Sequence, residues 1–151
     1  MSRKTILLTV IVLAAMTGGF FICKQFNRRN PDLSNLKPAY VVQANELIKE
    51  FSNNDSSANL KYLGKIVSVE GRIKKIDQDQ DGYYTVVLGD STELSSVRCA
   101  LDSTHMKDAA KLQPISSVRV KGYFTGFEKD ETGLVGSDLK LNRCVIEKQN
   151  K

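Results

Sequence analysis

The sequence predicts a mainly β domain of the α+β class, built as a small five-stranded barrel that follows an apolar N-terminal segment. Two stretches share the pattern V-x-V-x-G, one at residues 67–71 and one at residues 118–122. Alternating apolar residues indicate strands with one buried face, and a glycine inside such a strand marks a bend. A chain of 151 residues has room for one domain of this size.

The basic charge is concentrated beside the apolar segment. The chain has 22 Lys and Arg against 17 Asp and Glu, a formal charge of +5. Five of the basic residues precede residue 30, which leaves 17 basic and 17 acidic residues beyond it. Because the rest of the chain is neutral, the net charge does not indicate a phosphate-binding surface.

The apolar segment is predicted to be a membrane anchor. The 19 residues that begin at Thr5 and end at Cys23 contain no charge and no proline, which is long enough for a helix to span a bilayer. A cleavable signal peptide is the alternative, since small residues stand at positions 17–19. Apolar residues continue at positions 20–23 and favour an uncleaved anchor. Residues 1–29 are therefore predicted to be an anchor or signal segment.

Basic residues flank both ends of this segment. The charge difference between its ends therefore gives only a weak preference for one orientation in the membrane. A basic N-terminus before a first span usually stays in the cytosol. We therefore expect a single-pass protein of the cytoplasmic membrane whose C-terminal domain is extracytoplasmic, with a secreted or periplasmic product as the alternative. Residues 30–39 contain two prolines and are predicted to be a linker, residues 40–148 the domain, and residues 149–151 a tail.

The domain is predicted to begin with one or two short helices. Apolar residues in positions 40–51 recur at three- and four-residue spacing, which predicts an amphipathic helix. Asp55 or Ser56 can cap a second short helix that runs to Leu63, and Gly64 can end it.

Five strands are predicted next, and a short helix at residues 103–112 separates the third from the fourth. In the first strand, the apolar residues switch from odd to even positions between Ile73 and Ile76, which predicts a bend. In the fifth strand the same switch occurs between Leu141 and Cys144, which predicts a bulge near Asn142. The strands cover residues 65–76, 83–90, 94–102, 116–127 and 139–147. This succession predicts an OB-fold, a Greek-key barrel with its helix between strands three and four, here preceded by short helices and a transmembrane helix.

The pattern of small and apolar positions also resembles a known family. The pattern consists of a cysteine in strand three, V-x-V-x-G in strand four, a cysteine in strand five, and Ala44, Leu47, Phe51, Asn54, Ala58, Tyr62, Gly64, Lys65, Val67, Val69, Gly71 and Ile73. With these positions, residues 40–148 resemble the tRNA_anti-like family of bacterial OB-fold proteins, which are membrane-anchored or exported. The resemblance implies the OB-fold and carries over no catalytic or binding residue.

Two cysteines are predicted to lie on neighbouring strands. If the barrel is an OB-fold, Cys99 in strand three and Cys144 in strand five approach each other. An oxidising compartment would allow a disulfide between them, which would stabilise the domain by about 2 to 4 kcal/mol. Two separate buried thiols are the alternative.

The sequence offers no catalytic constellation. Its single histidine, His105, follows Asp102 and Ser103 too closely for a triad, so we predict a capping loop there. Residues 77–82 match the first half of a calcium loop, but Leu88 stands where the last ligand should be a glutamate, so we predict a solvated hairpin loop. We expect no enzyme activity, no metal site and no cofactor.

Any binding is expected on the outer face of strands one to three, which OB-folds commonly use. The candidate residues are Arg72, Lys74, Tyr83, Thr85 and Arg98. Single-strand binders line up several aromatics along a positive groove, whereas this face has one tyrosine. We therefore expect a membrane-tethered, non-catalytic binding module of the cell envelope, with an envelope protein, oligosaccharide or peptide as partner. A single-stranded nucleic-acid-binding protein on the cytosolic side is the alternative.

Overall fold

The structure is a computed structural model that describes residues 32–147. It contains six strands, three α-helices and two short 3-10 turns. The predicted membrane segment lies outside the described residues. The elements are β1 (Tyr40–Gln43), α1 (Ala44–Asn53), α2 (Asp55–Tyr62), β2 (Ile66–Gln78), β3 (Tyr84–Leu88), β4 (Ser96–Leu101), α3 (Met106–Ala109), β5 (Ser117–Glu128) and β6 (Asp138–Glu147), with 3-10 turns at Leu33–Asn35 and Ser103–His105.

Five of the strands close into a barrel. The strand order is β1-β2-β3-β4-β6-β5, and β2 also pairs with β5. The pair β4–β6 is parallel, whereas β2–β3, β3–β4, β5–β6 and β2–β5 are antiparallel. The turn and helix before β5 lie between the third and fourth barrel strands, so the predicted OB-fold is confirmed.

The long strand β2 belongs to both halves of the barrel. Its residues from Ile66 to Arg72 pair with β5, whereas Ile73 and the residues from Lys75 onward pair with β3. The register shifts between Ile73 and Lys75, as the parity change predicts. Gly71 precedes this shift, and a Cβ atom built on it would lie 2.7 Å from the Cβ atom of Ala44. The glycine therefore lets the start of α1 approach the strand.

The first predicted helix starts four residues later than expected. Residues 40–43 form strand β1, which pairs in parallel with residues 67–70 of β2. Val41 and Val42 are β-branched and favour a strand, and β2 offers backbone groups for them to pair with. The helix begins at Ala44 and buries an apolar face against the barrel.

The second helix is capped one residue before the predicted positions. The side-chain Oδ1 of Asn54 accepts a hydrogen bond of 3.0 Å from the backbone N–H of Ser57. Gly64 follows the helix with φ +70°, as expected for its terminator. Between the helices and the barrel, the ring of Phe51 lies 5.1 Å from that of Phe124 and 5.0 Å from that of Phe127.

Strand β6 contains the bulge predicted near Asn142. Arg143 has φ +55°, and the register against β4 shifts so that Leu141 pairs with Cys99 and Cys144 with Leu101. The extra residue brings both Leu141 and Cys144 into the core, where each is fully buried.

Part of the predicted linker packs on the barrel. Leu33 is buried, and the Nζ of Lys121 donates hydrogen bonds to the carbonyl oxygens of Ser34 (3.2 Å) and Leu36 (2.9 Å). The same Nζ lies 3.1 Å from Oε1 of Glu147. Residues 33–36 are therefore fixed to β5 and β6. From Asp32 to Glu147, no helix is both long and apolar enough to cross a bilayer.

Candidate binding face

The outer face of β2, β3, β4 and β6 carries a row of polar side chains. The register places Asp77 beside Thr85, and Thr85 beside Ala100. Arg98 lies next to them on β4, with its side chain about one third exposed. Tyr83, just before β3, is 48% exposed. The structure therefore brings together three of the five candidate residues: Tyr83, Thr85 and Arg98.

The cations of this strand face already have acidic partners. Arg98 Nη2 lies 3.4 Å from Asp77 Oδ2, and Arg98 Nη1 lies 3.5 Å from Asp138 Oδ2. Lys75 Nζ lies 2.8 Å from the same Asp77 oxygen, and Lys140 pairs with Glu128. A ligand that binds here meets a charge-balanced surface.

The sequence interpretation missed these acidic partners. It assigned Asp77 and Asp138 to loops, whereas the structure has both on strands. The register shift after Ile73 moves Lys75 and Asp77 onto the outer face. The parity change before Ile76 is the sequence signal that could have revealed this.

The other two candidate residues lie elsewhere. Lys74 lies at the bulge, and its Nζ donates to the carbonyl oxygens of Glu93 (2.6 Å) and Ser95 (3.2 Å), so it holds the loop before β4. Arg72 is exposed and lines a separate cavity of about 180 Å³ beside the start of α1. The bulge thus separates Arg72 and Lys74 from the strand face.

The loop between β2 and β3 is a hairpin loop, as predicted. Asp79 Oδ1 accepts hydrogen bonds from the backbone N–H groups of Asp81 (3.0 Å) and Tyr83 (2.8 Å). Gly82 adopts φ +85°, a conformation that glycine favours. Asp79 therefore uses its side chain to shape the turn. In the part of the chain that the structure describes, no cluster of three potential metal ligands occurs.

Asp102 caps the 3-10 turn before α3, in agreement with the predicted capping loop. Its Oδ1 accepts from the N–H (3.0 Å) and the hydroxyl (2.8 Å) of Thr104. The hydrogen bond from the Thr104 N–H lowers the pKa of Asp102 below its usual value, and Arg143 contributes to the same shift. The side chain of His105 contacts a different carboxylate, with its Nε2 atom 3.1 Å from Oδ1 of Asp32.

Cys99 and Cys144 are both buried free thiols in the barrel core. Burial raises the pKa of the Cys144 thiol well above its usual value, and the neighbouring Cys99 side chain raises it further. Gly122 on β5 faces the Cys144 sulfur so closely that a Cβ atom there would overlap it. The thiols are neighbours across β4 and β6, and the disulfide stays a prediction for an oxidising compartment.

The fold is similar to solved structures of low sequence identity. A candidate nucleic acid-binding lipoprotein from Klebsiella pneumoniae is 19% identical, with a TM-score of 0.53 over 70% of this chain and 91% of that chain. Asparaginyl-tRNA synthetase from Pyrococcus horikoshii is 21% identical, with a TM-score of 0.39 over 57% of this chain and 20% of that one. A candidate aspartyl-tRNA synthetase from Leishmania major is 14% identical, with a TM-score of 0.44 over 81% of this chain and 24% of that one.

These similarities concern the fold, and this chain spans only a fifth to a quarter of the two synthetase chains. No curated protein sequence matches the chain. The sequence pattern of one family, tRNA_anti-like, matches residues 1–137, which is most of the protein. Together with the closed five-stranded barrel, this match identifies the chain as a member of the tRNA_anti-like family.

Proposed function

We propose that this protein is a membrane-tethered, non-catalytic binding module of the bacterial cell envelope. Residues 5–23 would provide the tether, and the OB-fold domain would lie outside the cytoplasm. Its ligand would be an oligosaccharide, a peptide or an envelope protein, bound on the strand face around Tyr83, Thr85 and Arg98.

The observation that carries this proposal is the pairing of Arg98 with two carboxylates. A nucleic-acid site neutralises phosphates with lysines and arginines, and a carboxylate beside such a cation competes with the phosphate. Here Arg98 interacts with Asp77 and Asp138, and Lys75 also interacts with Asp77. The described residues as a whole contain 15 basic and 17 acidic side chains. These charges favour a ligand of low net charge.

The uncharged groups of the face suit such a ligand. Tyr83 offers an exposed ring that can stack on a sugar or an apolar side chain, with a hydroxyl at its edge. Thr85 adds a second hydroxyl one residue after the start of β3. OB-folds bind oligosaccharides as well as oligonucleotides on this face.

Single-stranded nucleic acid on the cytosolic side is the second candidate. The description of the Klebsiella pneumoniae protein favours it, since that chain is called a candidate nucleic acid-binding lipoprotein and shares the fold. At 19% identity, however, the likeness does not extend to a ligand.

Fluorescence anisotropy with labelled single-stranded RNA and DNA separates the two candidates. The full chain, held in phosphatidylcholine nanodiscs, is titrated at several salt concentrations. We expect no salt-dependent binding. Salt-dependent binding that Arg72→Ala with Arg98→Ala abolishes would overturn the proposal, provided that the control Lys49→Ala with Lys107→Ala, which removes the same charge elsewhere, retains it.

The positive test uses soluble cell-wall oligosaccharides and their peptide-bearing fragments. We expect binding that Tyr83→Ala weakens about tenfold and Tyr83→Phe weakens less, because the ring contributes more contact area than the hydroxyl. Binding that is equal in wild type and Tyr83→Ala would place the ligand away from this face.

A further inference from the structure

Strand β1 has a neighbouring strand on one side only. The five barrel strands close on each other, whereas β1 lies outside the barrel and pairs with β2 alone within the described part of the chain. Tyr40 and Val42 pack towards the core. The residues that alternate with them, Ala39, Val41 and Gln43, are exposed. Of the strands that the structure describes, β1 is therefore the one with an unpaired side.

The backbone groups of Val41 point to this unpaired side. The carbonyl oxygen of Ile66 accepts a hydrogen bond of 2.8 Å from the N–H of Ala39, so Ile66 bonds towards β1. Ser68, two residues later on β2, points in the same direction and lies opposite Val41. In a parallel pair only one residue of each opposed pair bonds across to the other strand. The N–H and the carbonyl oxygen of Val41 are therefore available to a further strand.

The composition of β1 does not oppose pairing at this edge. Edge strands are commonly protected by a charged residue or a proline within the strand. The four residues of β1, YVVQ, include neither, and the side chain of Val41 is 59% exposed. A lipid or a nucleic acid lacks the alternating donors and acceptors that such an edge bonds, so its natural occupant is another extended polypeptide. Because β1 is short, few bonds form and the association is weak.

A second copy of β1 has the properties that this edge requires. Two antiparallel copies related by a two-fold axis at Val41 place each Val41 opposite the partner's Val41, and each Tyr40 opposite the partner's Val42. Opposed residues then share a face of the sheet. The two valines form a β-branched cross-strand pair, which stabilises a sheet, and no charged side chain of β1 faces another. The same contact covers the exposed valine of both copies.

Charged residues next to β1 have partners within their own chain. Lys61 lies over the ring of Tyr40, 5.6 Å from its centroid, and its Nζ is 2.8 Å from Oε1 of Glu50. On β2, Oε2 of Glu70 is 2.6 Å from Nη2 of Arg119. These local pairs limit the electrostatic repulsion between two copies that approach through β1.

We propose that the chain forms a weak two-fold dimer in which the β1 edges of two copies pair in antiparallel orientation, with Val41 opposite the partner's Val41. The sheet of one copy then continues into the sheet of the other. The residues of the strand face, Tyr83, Thr85 and Arg98, lie outside β1. The dimer therefore presents two such faces and does not depend on which ligand they bind.

A cysteine cross-link tests the register. In a hydrogen-bonded antiparallel pair the two Cα atoms are about 5.5 Å apart, a distance that a disulfide spans. The full chain with Cys23→Ser and Val41→Cys, in detergent micelles, is oxidised with glutathione disulfide and separated on a non-reducing gel. We expect a disulfide-linked dimer to form about tenfold faster than with Leu60→Cys in the same background, at an 89% exposed position on α2. Equal rates would overturn the proposal.

Charge variants test the same contact without a covalent bond. Energy transfer between donor- and acceptor-labelled full chains in micelles measures association. Val41→Lys and Val41→Glu should each weaken association about fivefold, because like charges then face each other, and a mixture of the two variants should recover it. Weakening without recovery in the mixture, or equal association of wild type and both variants, contradicts the proposed register. A monomeric wild type contradicts the dimer itself and would leave the edge to a strand of another protein.

Discussion

The Nη2 atom of Arg98 lies 3.4 Å from Oδ2 of Asp77, and this contact joins β4 to β2 across the intervening strand β3. On the other side, Asp138 connects the same guanidinium to β6. Arg98 therefore spans four strands of the outer face. The two carboxylates share its charge and would compete with a phosphate for the guanidinium.

Removal of these carboxylates should raise the affinity of this face for single-stranded nucleic acid. We expect Asp77→Asn with Asp138→Asn to gain salt-sensitive binding of single-stranded RNA, because Arg98 and Lys75 lose their acidic partners. Anisotropy titrations at low and physiological salt measure the gain. Glu46→Gln with Glu131→Gln makes the same charge change elsewhere, and an equal gain in that control would contradict a role of the face itself.

Replacement of Gly71 should test the close approach of α1 to β2. The Cβ atom of Gly71→Ala would meet Ala44 at 2.7 Å, so we expect a loss of about 1 to 3 kcal/mol in the free energy of unfolding. Denaturant unfolding of the purified chain measures it. In Gly126→Ala the new Cβ meets nothing within 4 Å, so a change within about 0.5 kcal/mol is expected.

A double variant separates this contact from a general effect of alanine in a strand. Ala44→Gly combined with Gly71→Ala removes the atom that the new Cβ meets. We expect the two changes to be non-additive, with a favourable coupling of about 1 kcal/mol. Additive losses would mean that the glycine is required for a different reason.

Lys121 should be important for stability because its side chain is buried and its ammonium group contacts three oxygen acceptors. Its Nζ contacts Glu147 and the carbonyl oxygens of Ser34 and Leu36, and only 5% of its side chain is exposed. Lys121→Met leaves a partly buried carboxylate without its cation, and we expect a loss of about 2 to 3 kcal/mol in unfolding free energy. Denaturant unfolding measures this loss. In the control Lys107→Met, at an exposed position on α3, the free energy of unfolding should change by less than about 0.5 kcal/mol.

The buried thiol of Cys144 should make stability fall at alkaline pH under reducing conditions. Burial raises the pKa of Cys144 in the folded protein above its usual value of 9.0. The unfolded thiol therefore ionises first, and the folding free energy contributed by this group, complete below about pH 9, declines as pH rises further. Unfolding at pH 8 and pH 10 should show a larger loss for wild type than for Cys144→Ala, and equal losses would contradict the assignment.

The parts of the fold that follow from residue parity could be predicted. Val67, Val69 and Ile73 identify a bent strand, and Leu141 with Cys144 identifies the bulge of β6, because a strand must place apolar residues on one face. The start of α1 could not be placed in this way. The spacing of Val41 and Val42 fits a helix, and only the available edge of β2 decides that these residues form a strand.

The charge pairs of the candidate binding face depend on contacts between distant parts of the chain. Asp138 is forty residues after Arg98 in the sequence, and the parallel pairing of β4 with β6 brings them together. Sequence parity identified Arg98 as outward-facing but contained no information on its partners. Likewise, Lys74 looks like an exposed cation in sequence, whereas the bulge directs it to loop carbonyl oxygens.

The compartment in which Lys151 lies tests the proposed function most directly. A reporter enzyme that is active only outside the cytoplasm, fused after Lys151 of the full chain, measures it, and a matched fusion of a reporter that is active only in the cytosol serves as its control. We predict activity of the first fusion and none of the second, with the protein in the membrane fraction. The reverse pattern would contradict an envelope-facing domain and favour the nucleic-acid-binding alternative.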